Sequence, residues 1–291
     1  AVMGEGSSQW INAGEMENRG FEFNIGYRNQ THFGLKYDVT ANISSYRNKI
    51  TALPTTVAAN GTFGGNGVKS VIGHPMGAQV GYVADGIFKS QEEIDNHATQ
   101  EGAGLGRIRW KDLTGDGKIT EADQTWIYNP VPDFTYGFNI YLEYKNFDFT
   151  AFFQGVQGVD IISDLKKETD IWAGLNIGFL NKGKRLLDAW STTNPDSNVP
   201  ALSLSDNNNE KRVSSYWVEN GSYLKLRTIQ FGYNFPQTIA SKLAMQRLRM
   251  YVSAQNLFTI KSSSFTGVDP ENPNYGYPIP LNITFGLNVT F

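Results

Sequence analysis

The chain has 291 residues, a formal net charge of -3 at pH 7, no cysteine, and 13% aromatic residues. This composition excludes disulfides and thiolate metal sites, and no Lys/Arg patch interleaved with aromatics indicates nucleic-acid binding. No apolar run is long enough to predict a transmembrane helix. The opening AVMGEGSSQW lacks the basic start and apolar stretch of a signal peptide, so we expect that the chain does not begin at a natural N-terminus.

Apolar and polar residues alternate along several stretches of the chain. In chain order these are GFEFNIGYR, residues 33–44, DFTYGFNIYLEY, FDFTAFFQG, residues 229–235, residues 248–255 and the terminal LNITFGLNVTF. Successive side chains of a strand point to opposite faces, so each stretch predicts a strand with one apolar and one polar face. Only Lys145 and Asn146 separate the third stretch from the fourth, which predicts a tight hairpin. The pattern predicts about seven strands in all.

The connections between these stretches alternate between short and long. Residues 29–32, 145–146 and 236–246 form the shorter links, whereas residues 51–133, 158–221 and 261–280 form the long ones. Long loops at one end and short turns at the other are typical of an outer-membrane barrel. The sequence therefore favours an all-β fold, in which the strands belong to a large antiparallel transmembrane barrel with long extracellular loops. A soluble carbohydrate-binding β-sandwich is the alternative, although a sandwich has no reason to sort its loops by length.

The segment DLTGDGKITEAD contains the most concentrated set of oxygen ligands in the chain. An EF-hand binds calcium with oxygen ligands at fixed loop positions and a glycine at the sharp turn. The candidate ligands here are Asp112, Thr114, Asp116, Lys118 and Asp123. Threonine at the third position and aspartate at the twelfth depart from the EF-hand pattern, and the preceding GRIRW is typical of a strand. A polar Asx-type turn is therefore the alternative to a calcium site.

Aromatic side chains are frequent in and beside the long loops. Their rings could stack on sugar faces, or they could pack the loops together, and the sequence does not identify a sugar. The candidate ligand-binding residues are Trp126, Trp172, Tyr216 and Trp217. The three histidines show no metal-ligand spacing and no GxSxG-like nucleophile lies near them, so we predict no enzymatic activity.

Eight motifs, taken in order, resemble the C-terminal part of SusC/RagA-type TonB-dependent outer-membrane transporters. They are GHPMGAQVGYVADGIFKSQEEID, DLTGDGKITEAD, NPVPDFTYGFNI, FDFTAFFQGVQG, AWSTTNPDSNVP, YWVENGSYLKLRTIQFGYNFP, RMYVSAQNLFTI and DPENPNYGYPIP. The resemblance extends over nearly all of residues 1–291, which we interpret as the C-terminal portion of a receptor barrel. It implies a 22-stranded barrel with a plug domain inside it, TonB as the energy source, and a SusD-like surface lipoprotein as a lid.

The same resemblance implies import of glycans or peptides across the bacterial outer membrane. It also implies that Phe291, at the end of an alternating strand, is an assembly signal. A passive porin or structural outer-membrane barrel would share the strands and need no plug, lid or TonB. Neither a plug nor a TonB box is present in the chain, so we expect the remaining strands to come from a longer parent chain. The first and last strands should then each have a free edge within this chain, because an odd number of antiparallel strands cannot close a barrel.

Overall fold

Strands dominate the computed structural model, which describes residues 14–54, 62–63, 70–170, 182–203, 205–273 and 277–291. The strands are β1 (Glu15–Gln30), β2 (Lys36–Ala52), β3 (Thr62–Phe63), β4 (Ser70–Val71), β5 (Gln79–Tyr82), β6 (Ala84–Ile87), β7 (Ile108–Trp110), β8 (Gln124–Tyr128), β9 (Phe134–Tyr144), β10 (Phe147–Gln157), β11 (Asp160–Ile162), β12 (Val218–Asn220), β13 (Tyr223–Asn234), β14 (Arg247–Lys261) and β15 (Asn282–Thr290). The α-helices are α1 (Gln91–Asp95), α2 (Asp164–Asp170) and α3 (Gln237–Lys242), and the 3₁₀ helices are Glu121–Asp123, Lys184–Asp188 and Ser215–Trp217. Among the described residues, no helix is long and apolar enough to cross a membrane.

The seven long strands form one antiparallel sheet in the order β1-β2-β9-β10-β13-β14-β15. Each strand therefore pairs with the next long strand along the chain. The predicted number of strands and the alternation of short and long connections are both confirmed. The tight hairpin is confirmed too, because β9 and β10 are joined only by Lys145 and Asn146, and Lys145 adopts a positive φ of 54°.

Several strand boundaries differ from the predicted ones, and β1 and β2 both extend beyond the predicted stretches. The second strand begins at Lys36 and not at Phe33, because residues 31–35 form a turn closed by the bond from Thr31 N to the Leu35 carbonyl. Gly34 adopts a φ of 93° in this turn, which is not a strand conformation. The alternating residues before Lys36 therefore do not belong to the strand. The fifth and sixth strands are longer than predicted, because a register shift between Leu226 and Thr228 interrupts the alternation without ending the pairing.

One face of the sheet carries large apolar side chains, and many of them are exposed. On β1, Phe23 is 57% exposed, and on β15, Phe285 is 81% exposed. The central strands continue this face with Phe231 and Met250, both 47% exposed. An exposed apolar face that extends over several strands is rare on a protein surrounded by water, and it is the outward face expected of a membrane barrel.

The sheet is open at both sides. β1 pairs only with β2, and β15 pairs only with β14, so within the described residues the two outer strands are not paired with each other. This confirms the expectation of two free edges. No second sheet of comparable size packs on the first in the described part of the chain, because every other sheet has two strands.

The ordinary buried core of the protein lies in the long loops and not under the sheet. Phe88, Ile108 and Trp110 are all 0% exposed. They lie on or beside β6 and β7, within the first long loop (residues 53–133). The second long loop (residues 158–222) packs against this region, while the third long loop (residues 262–281) folds back over the end of β13. The three long loops together are called the loop layer below.

Candidate functional site

The polar face of the sheet contains a partly buried ion pair near its short-turn end. Arg249 Nε donates to Asp148 Oδ2 at 2.9 Å, and Asn234 donates to the same oxygen at 3.0 Å. The two charged residues lie on β14 and β10, so the contact crosses the intervening strand β13. Gly232 makes the contact geometrically feasible, because a Cβ atom there would lie 2.4 Å from the Arg249 guanidinium and 2.5 Å from the Asp148 carboxylate.

Further charged pairs lie on the same polar face of the sheet, closer to β1. Lys36 Nζ donates to Glu143 Oε1 at 2.7 Å, and the Tyr141 hydroxyl donates to Glu143 Oε2 at 3.0 Å. Arg28 Nε donates to Asp38 Oδ2 at 2.8 Å. A cavity of about 610 Å³ lies on this face between β9 and β15 and is lined mostly by polar and charged side chains. This face is therefore hydrophilic, and most of its carboxylates are paired with a lysine or an arginine.

A buried polar network joins the first long loop to the second. Glu210 is 2% exposed, and it accepts bonds from Arg107 Nη1 and the Ile108 N–H, both at 2.9 Å. Asn208 donates to the Ile108 carbonyl at 2.9 Å, and Gln100 donates to Asn208 Oδ1 at 2.8 Å. Every member of this network has a partner, so it can hold the two loops in one arrangement.

All three long loops contribute to a second cavity, of about 400 Å³. Gly86 comes from the first loop, Lys166 and Tyr216 from the second, and Thr266 from the third. The Lys166 ammonium lies 3.9 Å from the centroid of the Tyr216 ring. Burial lowers the pKa of Lys166 to about 8, and the nearby Arg185 guanidinium acts in the same direction. The cavity thus offers hydroxyl, amide and charged groups to a polar molecule.

The predicted aromatic ligand residues have different environments. Tyr216 lines the three-loop cavity and donates its hydroxyl to Asp170 at 3.0 Å. Trp217 is 2% exposed and packs edge-on against Tyr216, so in this conformation it supports the loops. Trp126 stacks on His74 with a centroid separation of 3.8 Å. Trp172 lies outside the described residues.

The loop from Asp112 to Asp123 is closed by hydrogen bonds from backbone N–H groups to its carboxylates. Asp123 is fully buried and accepts from the N–H groups of Leu113, Thr114 and Thr120, at 2.9, 3.0 and 2.7 Å. Burial by itself would raise the pKa of Asp123, but these bonds outweigh it and lower the pKa to about 2.

The other two aspartates of this loop also accept from the backbone. Asp112 accepts from Gly115 N at 2.7 Å and Gly117 N at 2.9 Å, while Asp116 accepts from Lys118 N at 2.9 Å. In the described part of the chain, no group of three or more His, Cys, Asp or Glu side chains is arranged to hold a metal ion. These contacts fit the Asx-type turn, because the carboxylate oxygens that calcium would need are directed at N–H donors. Calcium binding stays a prediction.

The sequence interpretation did not identify the charged residues at the loop end of the polar face. Lys225 is 0% exposed and contacts Asp269 and Glu271 of the third loop at 2.7 and 2.6 Å. The available signal was the stretch YLKLRTIQF, in which Lys225 and Arg227 are charged positions within a predicted strand. A charged residue inside a strand indicates a partner that the alternation alone cannot identify.

An exposed apolar face, a charged opposite face and loops sorted by length together define a section of the wall of an outer-membrane β-barrel. Known proteins agree with this class. No protein-family model matches the sequence. TonB-dependent receptor P3 of Formosa agariphila is 35% identical over 308 residues, a match that covers 98% of this chain and 30% of that receptor. SusC of Bacteroides thetaiotaomicron, also a TonB-dependent receptor, is 28% identical over 300 residues, covering 96% of this chain and 27% of SusC.

Solved structures show the same fold. The RagAB peptide transporter matches with a TM-score of 0.75 and 23% identity, over 97% of this chain and 30% of the matched chain. The chain is therefore similar to one portion of TonB-dependent receptors, and it spans about 30% of the length of the curated relatives that it matches. These relatives are receptors and transporters and not enzymes.

Proposed function

We propose that the chain forms part of a TonB-dependent importer in the bacterial outer membrane. The observation that carries this proposal is the inverted sheet, which exposes apolar side chains on one face and buries Lys225 and Asp148 on the other. A water-soluble sheet would bury its apolar face. The similarity to TonB-dependent receptors supports active import over passive diffusion through a porin.

The partners of this importer belong to the proposal as well. They are the remaining strands of the parent barrel, a plug domain, TonB, and a SusD-like lipoprotein that covers the loop layer. The polar face of the sheet supports the plug, because its charged and polar side chains offer hydrogen bonds to a folded domain inside the barrel. The ordered loop layer supports the lid, because Glu210 and Asn208 fix two of the loops in a single arrangement.

The proposed substrates are glycans or peptides. The three-loop cavity supports a polar substrate, because hydroxyl, amide and charged groups line it and Tyr216 offers a ring face. Of the four aromatic candidates from the sequence, Trp126 and Tyr216 are partly exposed, and Trp172 stays a candidate.

Uptake by intact cells tests the proposal. Cells producing the full-length protein should accumulate a labelled oligosaccharide or peptide pool, and deletion of TonB should abolish accumulation. Deletion of the neighbouring SusD-like lipoprotein should reduce it. Accumulation that persists without TonB would identify a passive porin, and a protein that remains soluble without detergent would exclude the barrel.

A further inference from the structure

The loop end of the polar face carries a cluster of donors on a single strand. Tyr223, Lys225 and Arg227 lie at alternate positions of β13, and a register shift of the ladder falls between Leu226 and Thr228. The irregularity leaves Arg227 without a backbone pairing partner on β14, which allows its side chain to turn toward Lys225 and Tyr223. These three residues are called the cradle below.

The cradle binds both oxygens of one carboxylate. The Tyr223 hydroxyl donates to Glu271 Oε1 at 2.6 Å, and Lys225 Nζ donates to Glu271 Oε2 at 2.6 Å. Arg227 Nη2 also donates to Glu271 Oε1. Lys225 makes a second contact of 2.7 Å with Asp269 Oδ2. Charge-assisted hydrogen bonds that satisfy both oxygens are a specific way to recognise a carboxylate.

Both carboxylates come from a loop and not from the sheet. Residues 262–272, called the strap below, fold from the end of β14 back over the polar face, and Asp269 and Glu271 are the charged residues of the strap. The ladder partners of Lys225 are Gln154 and Thr259, which are neutral, and Arg227 Nε donates to the same Gln154 at 2.8 Å. Without the strap, the cradle would present two cations that no neighbouring carboxylate of the sheet neutralises.

The strap has further attachments that do not involve the cradle. Glu219 accepts from the Thr266 hydroxyl at 2.7 Å and from its N–H at 3.1 Å. Phe265 is 4% exposed, whereas Val268 is 67% exposed. The cradle therefore holds the end of the strap that carries the two carboxylates. Glu219 of β12, the buried Phe265, and Lys261, which donates to the Gly267 carbonyl, hold the rest of the strap.

The cradle is accessible from the interior side of the sheet. Lys225 is fully buried, but the side chains of Arg227 and Glu271 are 25% and 20% exposed. Burial would raise the pKa of Glu271, yet the hydrogen bonds from Lys225, Tyr223 and Arg227 outweigh it and hold the pKa below its ordinary value. Glu271 is therefore ionised at neutral pH, so a ligand carboxylate would have to displace a charged group that is tethered to the same chain.

We propose that Tyr223, Lys225 and Arg227 form a carboxylate-binding site, which Glu271 of the strap occupies in this structure and which a ligand carboxylate occupies when the strap moves away. The ligand would be an acidic peptide or a uronic-acid oligosaccharide, since both carry the carboxylate that the cradle recognises. This inference rests on the proposed importer function, because that function brings such ligands to the polar face.

Binding to purified full-length protein in detergent tests the site. The probes are a tetraglutamate peptide, a tetragalacturonate and a neutral tetraglutamine peptide. Glu271→Gln removes the charge of the built-in occupant and keeps its shape. We expect this variant to bind at least one acidic probe about tenfold more tightly than the wild type, which is the gain expected when a competing charge-assisted contact is weakened.

The matched control is Glu143→Gln. Glu143 also accepts from a lysine and a tyrosine on the polar face, at 2.7 and 3.0 Å, but its partner Lys36 is 54% exposed. Water already solvates Lys36, so this control should gain no affinity. The double variant Lys225→Met/Glu271→Gln should bind the acidic probes no more tightly than the wild type. If that variant fails to assemble, Arg227→Gln/Glu271→Gln is used for the same test.

The outcomes separate the alternatives. A gain for the peptide, the oligosaccharide or both supports the site and identifies the source of the carboxylate. No gain for either acidic probe, or an equal gain for tetraglutamine or in Glu143→Gln, would overturn the proposal and leave the cradle as a structural clamp. Binding in detergent needs no TonB, so the proposed importer function can fail in the uptake experiment while this site is confirmed.

Discussion

The sheet and the loop layer place their apolar residues in opposite ways. In the sheet, Phe285 is 81% exposed while Lys225 is 0% exposed, whereas in the loop layer Trp110 and Phe88 are 0% exposed. The same chain thus follows the rule for lipid in one region and the rule for water in the other. Burial follows the solvent that each region contacts, so an exposed phenylalanine is destabilising only where that solvent is water.

Replacing a core residue of the loop layer should have the largest effect. Trp110→Ala removes a fully buried indole, which should cost the loop layer about 3–5 kcal/mol. Amide hydrogen exchange should accelerate around β6 and β7 while β9 and β10 stay protected. The control Trp126→Ala removes a ring that is only partly buried and should change exchange less. Equal acceleration in the sheet would show that the two regions are not independent.

A charge on the apolar face should have the next largest effect. Phe285→Arg places a guanidinium near the middle of β15, which should cost about 2–4 kcal/mol if this face contacts lipid. Thr284→Arg places the same group one residue away on the polar face and should be tolerated. The measurement is the amount of folded full-length protein in the outer membrane. Similar amounts for both variants would contradict the lipid-facing assignment.

Replacing the last residue by a charged one should change the free energy of the protein in the membrane only slightly. Phe291 is 79% exposed at the end of the chain, and a charge near the membrane interface costs about 0–1 kcal/mol. If Phe291 is an assembly signal, Phe291→Asp should nevertheless lower membrane abundance at an unchanged transcript level. Normal abundance in this variant would remove the assembly role.

Acid should loosen the loop from Asp112 to Asp123. The pKa of Asp123 is about 2 in the folded protein, below its ordinary value of 3.8. The stability that this shift contributes is complete above about pH 4 and is lost as the pH falls toward 2. Pepsin cleavage of this loop should therefore accelerate over that interval relative to Asp123→Asn, which lacks the titrating group. If the ratio of the two cleavage rates stays constant, protonation of Asp123 does not loosen the loop.

Calcium should have the smallest effect on the same loop. Binding would require Asp112 and Asp116 to give up their N–H donors, so we expect a dissociation constant no tighter than about 10⁻³ M. Calorimetry on the wild type and on Asp112→Ala/Asp116→Ala measures this directly. A tighter site that the double variant loses, with about six oxygens at roughly 2.3–2.6 Å, would establish calcium as a ligand.

The sequence by itself determined the seven strands, their apolar and polar faces, and the sorting of the loops. Alternation determines these features because side-chain direction in a strand depends only on the parity of the position. LNITFGLNVTF, for example, specifies both faces of β15 without reference to any other strand. The order of the sheet followed as well, since each long strand pairs with the next one.

Only the tertiary structure decided which charges meet and how the loops are held. Asp148 and Arg249 are 101 positions apart and join across Gly232, and Glu210 reaches Ile108 from a different loop. The strap brings Glu271 to Lys225 across 46 positions. Alternation assigns a residue to a face but not to a partner, because the partner of a side chain depends on the strand register and the path of a loop through space. The cradle is therefore a property of the fold, although each of its residues is visible in the sequence.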